Sequence, residues 1–264
     1  SNSDDIMRMG LSNKAFFKQA TNKIKKISEK NNNYFVTLIT LSNHTPWEDE
    51  DKYGDYTVDY KYTEKDSNGN TVEKSLPYLE GSELGRYYKS VHYADSAIGE
   101  LINELDSQGL LENTVIAIYG DHDAKISKKQ YKHFYNYDFE ASKASGENEY
   151  YDSSNENYVD VDYYNYELNR KVPFIIWKKN SSGNKLLNKK IDKVMGMYDA
   201  MPTLANMFNF NYKYALGHDI FNTDNNIVVF PNGNWVTDKM YSNAQKEEYL
   251  LLKDSVVNDD EIEK

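Results

Sequence analysis

Cysteine is absent from the 264 residues, so neither a disulfide framework nor thiolate chemistry is available to the fold. That absence does not fix the compartment, since exported bacterial proteins also do without cysteine. Long apolar runs are missing too, and no stretch approaches the roughly 18 residues of a membrane span. Basic clusters are scarce: 42 acidic residues outnumber 31 basic ones for a net charge of -11. Nucleic acid is therefore not an expected partner. The densest basic run, Lys23-Ile24-Lys25-Lys26, falls on a predicted helix and reads as a solvated face. A Gly-rich phosphate loop, a Gly-x-Ser-x-Gly elbow and a His-Glu-x-x-His motif are all lacking. Thr40, Ser42 and Thr45 are hydroxyls without a nucleophile's signature. Tyrosine, by contrast, is abundant at 24 residues. Many sit in polar context, where a flat amphipathic ring suits sugars, lipid headgroups or protein.

The apolar spacing predicts an α/β chain. Ser12 is a natural N-cap for a helix from about Lys14 to Ser28, with Phe16, Phe17, Ala20, Ile24 and Ile27 as its apolar stripe. A strand follows over Tyr34–Leu41, then a polar excursion over 48–80 whose Asp66-Ser67-Asn68-Gly69-Asn70 reads as a hairpin tip. A long helix spans roughly Leu84 to Ser107, its buried face drawn through Leu84, Tyr87, Tyr88, Val91, Ile98, Leu101, Ile102 and Leu105, and Gly109 is its stop. A second strand, Thr114–Tyr119, completes spacing that suits a right-handed crossover. Residues 136–169 read as a long polar loop, either a rim of the site or a tolerated insertion. Val172–Trp177 is a further strand and Asp199 the cap of a helix through Phe208. A small hairpin over Ile227–Val236 and a charged helix over Ala244–Lys253 close the chain. The domain division expected is 1–222 and 223–264.

Candidate chemistry gathers at two predicted strand ends. Tyr119-Gly120-Asp121-His122-Asp123 presents a carboxylate and an imidazole where α/β sheets form their ligand sites. Asp121 and His122 are neighbours that a regular strand would point apart, and Gly120 lets the chain leave that strand and turn both toward one ion. Oxygen plus imidazole nitrogen suits Mn²⁺ or Zn²⁺ better than Mg²⁺. Asp123 either braces His122 through a hydrogen bond or faces solvent. At the other end, His44 in Ser42-Asn43-His44-Thr45-Pro46-Trp47 is placed to touch a phosphate oxygen or protonate a departing alkoxide, and a structural role is the alternative. Trp47 either packs beneath the rim or covers substrate, and His218, after Gly217, is a further candidate contact.

Several segments, taken in order, carry a resemblance: Gly10-Leu11-Ser12-Asn13 with Phe16-Phe17, Thr40-Leu41-Ser42-Asn43-His44-Thr45-Pro46, Tyr93-Ala94-Asp95-Ser96-Ala97-Ile98-Gly99, Tyr119-Gly120-Asp121-His122, Val172-Pro173-Phe174-Ile175-Ile176, Asp199-Ala200-Met201-Pro202-Thr203 and Gly217-His218-Asp219-Ile220-Phe221. The chain resembles the C-terminal part of the extracellular catalytic domain of the lipoteichoic acid synthase and phosphoglycerol transferase family, in the sulfatase and alkaline phosphatase superfamily. The resemblance implies a partial α/β/α sandwich, a mostly parallel sheet flanked by helices, with a small C-terminal hairpin and helix. It implies that Asp121 and His122 are ligands of one catalytic Mn²⁺, with Zn²⁺ or Mg²⁺ as lesser alternatives, and that His44 contacts the glycerol phosphate; Trp47 and His218 are substrate-binding candidates from their place in the sequence, not from the resemblance. Such enzymes move glycerol phosphate from phosphatidylglycerol through a threonine nucleophile to a growing polymer, on the outer face of the bacterial membrane. By the same resemblance the threonine, a glutamate ligand, a membrane anchor and the first half of the catalytic domain lie upstream of the matching region. This fragment alone is then expected to be inactive. Sulfatase or phosphoethanolamine transferase activity, or non-catalytic binding of a wall polymer, are the alternatives.

Overall fold

A computed structural model describes residues 5–8, 10–180 and 188–252. It is a mixed α/β fold that divides into two compact units, 1–118 with 122–181 and 119–121 with 182–264.

The first unit opens with the short antiparallel pair β1 (Ile6–Met7) and β2 (Gly10–Leu11). Helix α1 (Asn13–Ser28) follows, its cap formed as the sequence predicts: the Ser12 hydroxyl accepts from the Ala15 N–H at 3.2 Å. Phe17, Ala20 and Ile24 are buried along its stripe, while Ile27 is exposed. Helix α2 (Glu83–Ser107) starts on a second serine cap, with Ser82 Oγ accepting from Gly85 N at 2.9 Å. It stops where Gly109 takes φ +71°. There the Gly109 and Leu110 N–H groups donate back to Asp106 and Leu105, a Schellman closure.

The buried face of α2 is rotated from the one drawn on large side chains. Ser90, Tyr93, Ala94 and Ala97 are buried, whereas Tyr88 and Val91 are exposed. Small residues let a helix approach its neighbour closely, so the apolar count alone picks the wrong centre line. Asp95 falls on the exposed side and needs no buried partner. Ile24 of α1 and Leu105 of α2 close with Leu111 around a core that also receives Val36, Leu38 and Ile116. A second core gathers Met7, Trp47, Tyr53, Val58, Leu79, Leu84, Tyr93 and Ile126.

Residues 34–41 differ from expectation. They alternate, with Val36, Leu38 and Thr40 half-buried and Phe35, Thr37, Ile39 and Leu41 exposed, but form no ladder with any described residue. The period-two pattern is that of a strand; the hydrogen-bonding neighbour that would make it one is not among the described residues. Phe35 and Ile39 are 76% and 71% exposed on the outward face. The hairpin forms as expected from β3 (Tyr60–Lys65) and β4 (Thr71–Leu76). At its tip Asp66 Oδ1 accepts from the Asn68 and Asn70 N–H groups. Strand β5 (Val115–Tyr119) pairs with β6 (Phe174–Lys178).

The supposed loop over 136–169 contains helices. After α3 (Lys128–Tyr135) come α4 (Phe139–Ser145) and α5 (Tyr163–Leu168). Asp138 and Asp162 cap α4 and α5 by accepting from Ala141 N and Asn165 N, and Gly146 ends α4 at φ 80°. Those caps were readable; the short, polar turns between them hid the periodicity.

In the second unit, α6 (Ala200–Met207) precedes a four-stranded antiparallel sheet of β7 (Ile227–Val229), β8 (Trp235–Thr237), β9 (Met240–Asn243) and β10 (Glu248–Leu251). The terminal helix expected over 244–253 is corrected: residues 244–247 turn, with Glu247 at φ 53°, and β10 pairs with β9. A free edge on β9 offers ladder bonds that outweigh local helix preference. Lys253, the last residue of that expected helix, lies outside the described residues.

Candidate functional site

The turn after residue 41 is held from behind by reciprocal hydrogen bonds. Asn13 N donates to Ser42 Oγ at 2.8 Å, and Ser42 N donates to Asn13 Oδ1 at 3.2 Å. Both residues are buried. The Tyr53 hydroxyl adds a bond to the Ser42 carbonyl at 3.3 Å. Burial, with Asp49 and Glu50 nearby, pushes that phenol up to about 12, so it stays a donor. The start of α1 thus fixes the position of the chain on which His44 stands.

Trp47 is a core residue, 2% exposed. Its indole N–H donates to the Asn43 carbonyl at 2.9 Å, and its ring lies 5.2 Å from that of Tyr87. Of the two roles open to it in the sequence, the structure gives it packing. The space left between Met7, Leu41, His44 and Tyr53 is about 10 Å³, too small to admit a ligand from behind.

His44 and His122 come together. Their rings meet edge to face with centroids 5.6 Å apart. In each, Nδ1 lies against the carbonyl oxygen of the following residue, Thr45 at 2.6 Å and Asp123 at 2.7 Å. A carbonyl only accepts, so Nδ1 carries the proton and the neutral ring keeps its lone pair on Nε2. This is how a backbone carbonyl orients an imidazole toward a metal or a hydroxyl.

Asp121 and His122 follow β5 after Gly120 and are exposed. The expected brace from Asp123 takes another form: its backbone carbonyl meets His122. Its carboxylate instead accepts from Arg170 Nη2 at 3.0 Å and from Lys125 N at 3.0 Å. Burial works to raise the Asp123 carboxyl, but the bond and charge of Arg170 outweigh it and hold it below the usual range. Among the described residues no group of three or more His, Asp or Glu side chains could hold a metal. Asp121 and His122 have the right chemistry for two ligands, and a full shell needs more donors.

His218 belongs to the second unit and is exposed. Its N–H donates to Asp199 Oδ1 at 2.8 Å. Asp199 itself is fully buried, and its Oδ2 accepts from Gly196 N and Asn226 Nδ2. It makes no side-chain cap for α6, contrary to the sequence reading, because its carboxylate is spent on the loops before and after that helix. A Cβ on Gly217 would lie 2.4 Å from Asp199 Oδ1, so only glycine lets this turn close on the carboxylate.

Asn13, Ser42 and Tyr53 escaped notice as positioning residues. One signal was present, the tripeptide Leu-Ser-Asn at both 11–13 and 41–43, whose two copies the fold brings together through Asn13 and Ser42.

Comparison with known proteins extends the geometry. Residues 2–210 match the Sulfatase family. Lipoteichoic acid synthase of Staphylococcus aureus (strain USA300) is 31% identical over 253 residues, which cover 92% of this chain and 32% of that protein. The chain thus spans about a third of the length of the curated relatives it matches. The lipoteichoic acid synthase LtaP of Listeria monocytogenes has the same fold at TM-score 0.59 and 22% identity, over 92% of this chain and 52% of that one. A Vibrio parahaemolyticus protein of the alkaline phosphatase superfamily superposes at TM-score 0.54 with 15% identity, over 99% and 53%.

Proposed function

We propose, because this chain belongs to the sulfatase family, that it carries the metal-ligand portion of a phosphoglycerol transferase of the lipoteichoic acid synthase type. The observation that supports this most is the pairing of His44 with His122, each imidazole held through Nδ1 against the carbonyl oxygen of the next residue. Asp121 and His122 are the ligands for a divalent cation, Mn²⁺ before Zn²⁺ or Mg²⁺, completed by donors from outside these residues. When bound, the ion stabilises negative charge on a transferring phosphoryl group and on the attacking oxygen.

His44 does the proton work beside it. As imidazolium, its Nε2–H donates to a phosphate oxygen or gives its proton to the departing glycerol oxygen; as neutral imidazole, Nε2 accepts from a substrate hydroxyl. His218 is a further substrate contact in this reading. The nucleophile is a threonine supplied by the rest of the catalytic domain, and the donor is phosphatidylglycerol at the outer face of the bacterial membrane, with a glycerol phosphate polymer as acceptor. The expectation follows that the described half binds metal weakly and does not turn over alone.

The test is Mn²⁺ affinity by electron paramagnetic resonance, for the chain and for Asp121→Ala and His122→Ala. Each substitution should weaken binding by about tenfold or more. Equal affinity in all three chains would remove the metal assignment. Release of glycerol phosphate from a phosphatidylglycerol analogue by this chain alone, lost in Asp121→Ala, would instead place the nucleophile within it.

A further inference from the structure

Helix α3 has a charge arrangement that works against its own formation. Its eight residues, Lys128-Lys129-Gln130-Tyr131-Lys132-His133-Phe134-Tyr135, include no acid, and two lysines stand in the first turn. Cations there oppose the helix dipole, and Lys128 with Lys132 is a like-charge pair one turn apart. In a chain of net charge -11, Lys132 of this helix pairs with the Asp160 carboxylate, while Lys128 and Lys129 stand exposed. Tyr131 and Phe134 pack the opposite side of this helix on the core, so the lysine pair at its start is a local cost on the face that does not pack.

The same side chains line an open groove of about 490 Å³, shared by Lys128, Lys129, Lys132, His133, Asn136 and tyrosines 150, 151 and 158. That volume is in the range of small-ligand sites. Its tyrosine wall is held firmly in place. Asn136, 2% exposed, donates to the Lys132 and Val159 carbonyls and accepts from Val159 N at 2.6 Å. Tyr151 N donates to the Asn136 carbonyl at 2.7 Å. His133 stacks on Tyr150 with centroids 4.6 Å apart. Lys132 is committed to the wall through Asp160 at 3.2 Å. Lys128 and Lys129 remain exposed at the mouth.

We infer that this groove is a binding site for a phosphate-bearing polyol chain. Lys128 and Lys129 take the phosphate as point charges, and the tyrosine faces and hydroxyls take the hydroxylated carbons between phosphates. The groove stands on its own geometry; reading its ligand as a glycerol phosphate polymer rests on the transferase proposal.

The experiment is a metal-free titration of the ¹⁵N-labelled chain, and of its Lys128→Gln/Lys129→Gln variant, with glycerol phosphate oligomers, inorganic phosphate, free glycerol and phosphatidylglycerol vesicles. Oligomers should shift the amides of 128–136 and 150–158, more strongly at low salt. The variant should lose about tenfold or more in affinity. Its melting temperature should hold or rise, because like-charge strain is relieved. Unchanged affinity in the variant, or shifts confined elsewhere, would overturn the site. Inorganic phosphate binding as tightly as the oligomer would remove the polyol from the proposal, and binding to vesicles alone would make this a membrane contact instead. Oligomer binding without Mn²⁺ binding would sink the transferase reading and leave the groove; Mn²⁺ binding without oligomer binding would do the reverse.

Discussion

Behind His44 the chain is packed solid: Trp47 is in the core, Ser42 is bonded twice to Asn13, and Tyr53 closes the carbonyl side. The His122 turn follows β5 into exposed residues, with the His122 Nδ1 against the carbonyl of Asp123 and that residue ion-paired to Arg170. Two imidazoles that meet edge to face thus differ in burial, His44 half-buried above the core and His122 exposed. A group that must meet substrate at a fixed point gains from a rigid base, since lost alignment is costly in rate. A metal ligand can be oriented by the ion it binds, and exposure keeps it accessible to exchange.

Breaking the packed side should have the largest effect. Trp47→Ala removes a buried indole and should cost about 3–5 kcal/mol in chemical denaturation; a loss below 1 kcal/mol would mean the turn is not anchored by the core. Asn13→Ala strands the buried Ser42 N–H and should cost about 1–3 kcal/mol. It should also broaden the His44 ring resonances while leaving those of His122 sharp, and equal broadening of both would erase the contrast.

On the open side the effects shrink. Arg170→Ala, losing a guanidinium that is itself exposed, should cost less than about 1 kcal/mol near neutrality. Its signature lies at acid pH. Arg170 holds the Asp123 carboxyl below the usual carboxylate range in the folded state, so its contribution is present above the unfolded value and lost as pH falls through the lowered folded one. The variant should show a shallower acid limb than the parent in stability measured from pH 6 downward; an identical limb would discount the pair. Smallest of all, His122→Ala should move stability by under about 0.5 kcal/mol, even as it weakens Mn²⁺ binding.

The parts legible in the sequence were those written in local chemistry. Ser12 and Ser82 as caps, Gly109 as a stop and Asp66 at a hairpin tip each act on neighbours within a few residues. The His44 and His122 turns were legible because apolar segments end just before them. What depended on distant partners was not. Residues 34–41 have a strand's alternation but lack a described ladder, and 248–251 became a strand because β9 was there to pair with. Asp199 looked like a cap until Asn226 and the His218 N–H, far along the chain, were seen to claim its carboxylate. Trp47 next to His44 looked equally fit for substrate or core, and only the arrangement of Tyr87 and Tyr93 around it decides.

The hairpin tip has a practical use. Asn68 is exposed there, its conformation held through its backbone N–H to Asp66 rather than through a packed side chain. In a protein without a single thiol, Asn68→Cys would install a unique handle for a spin label or fluorophore without disturbing either core. Distances from that reporter to bound Mn²⁺ would then locate the ion independently of any loss-of-function variant.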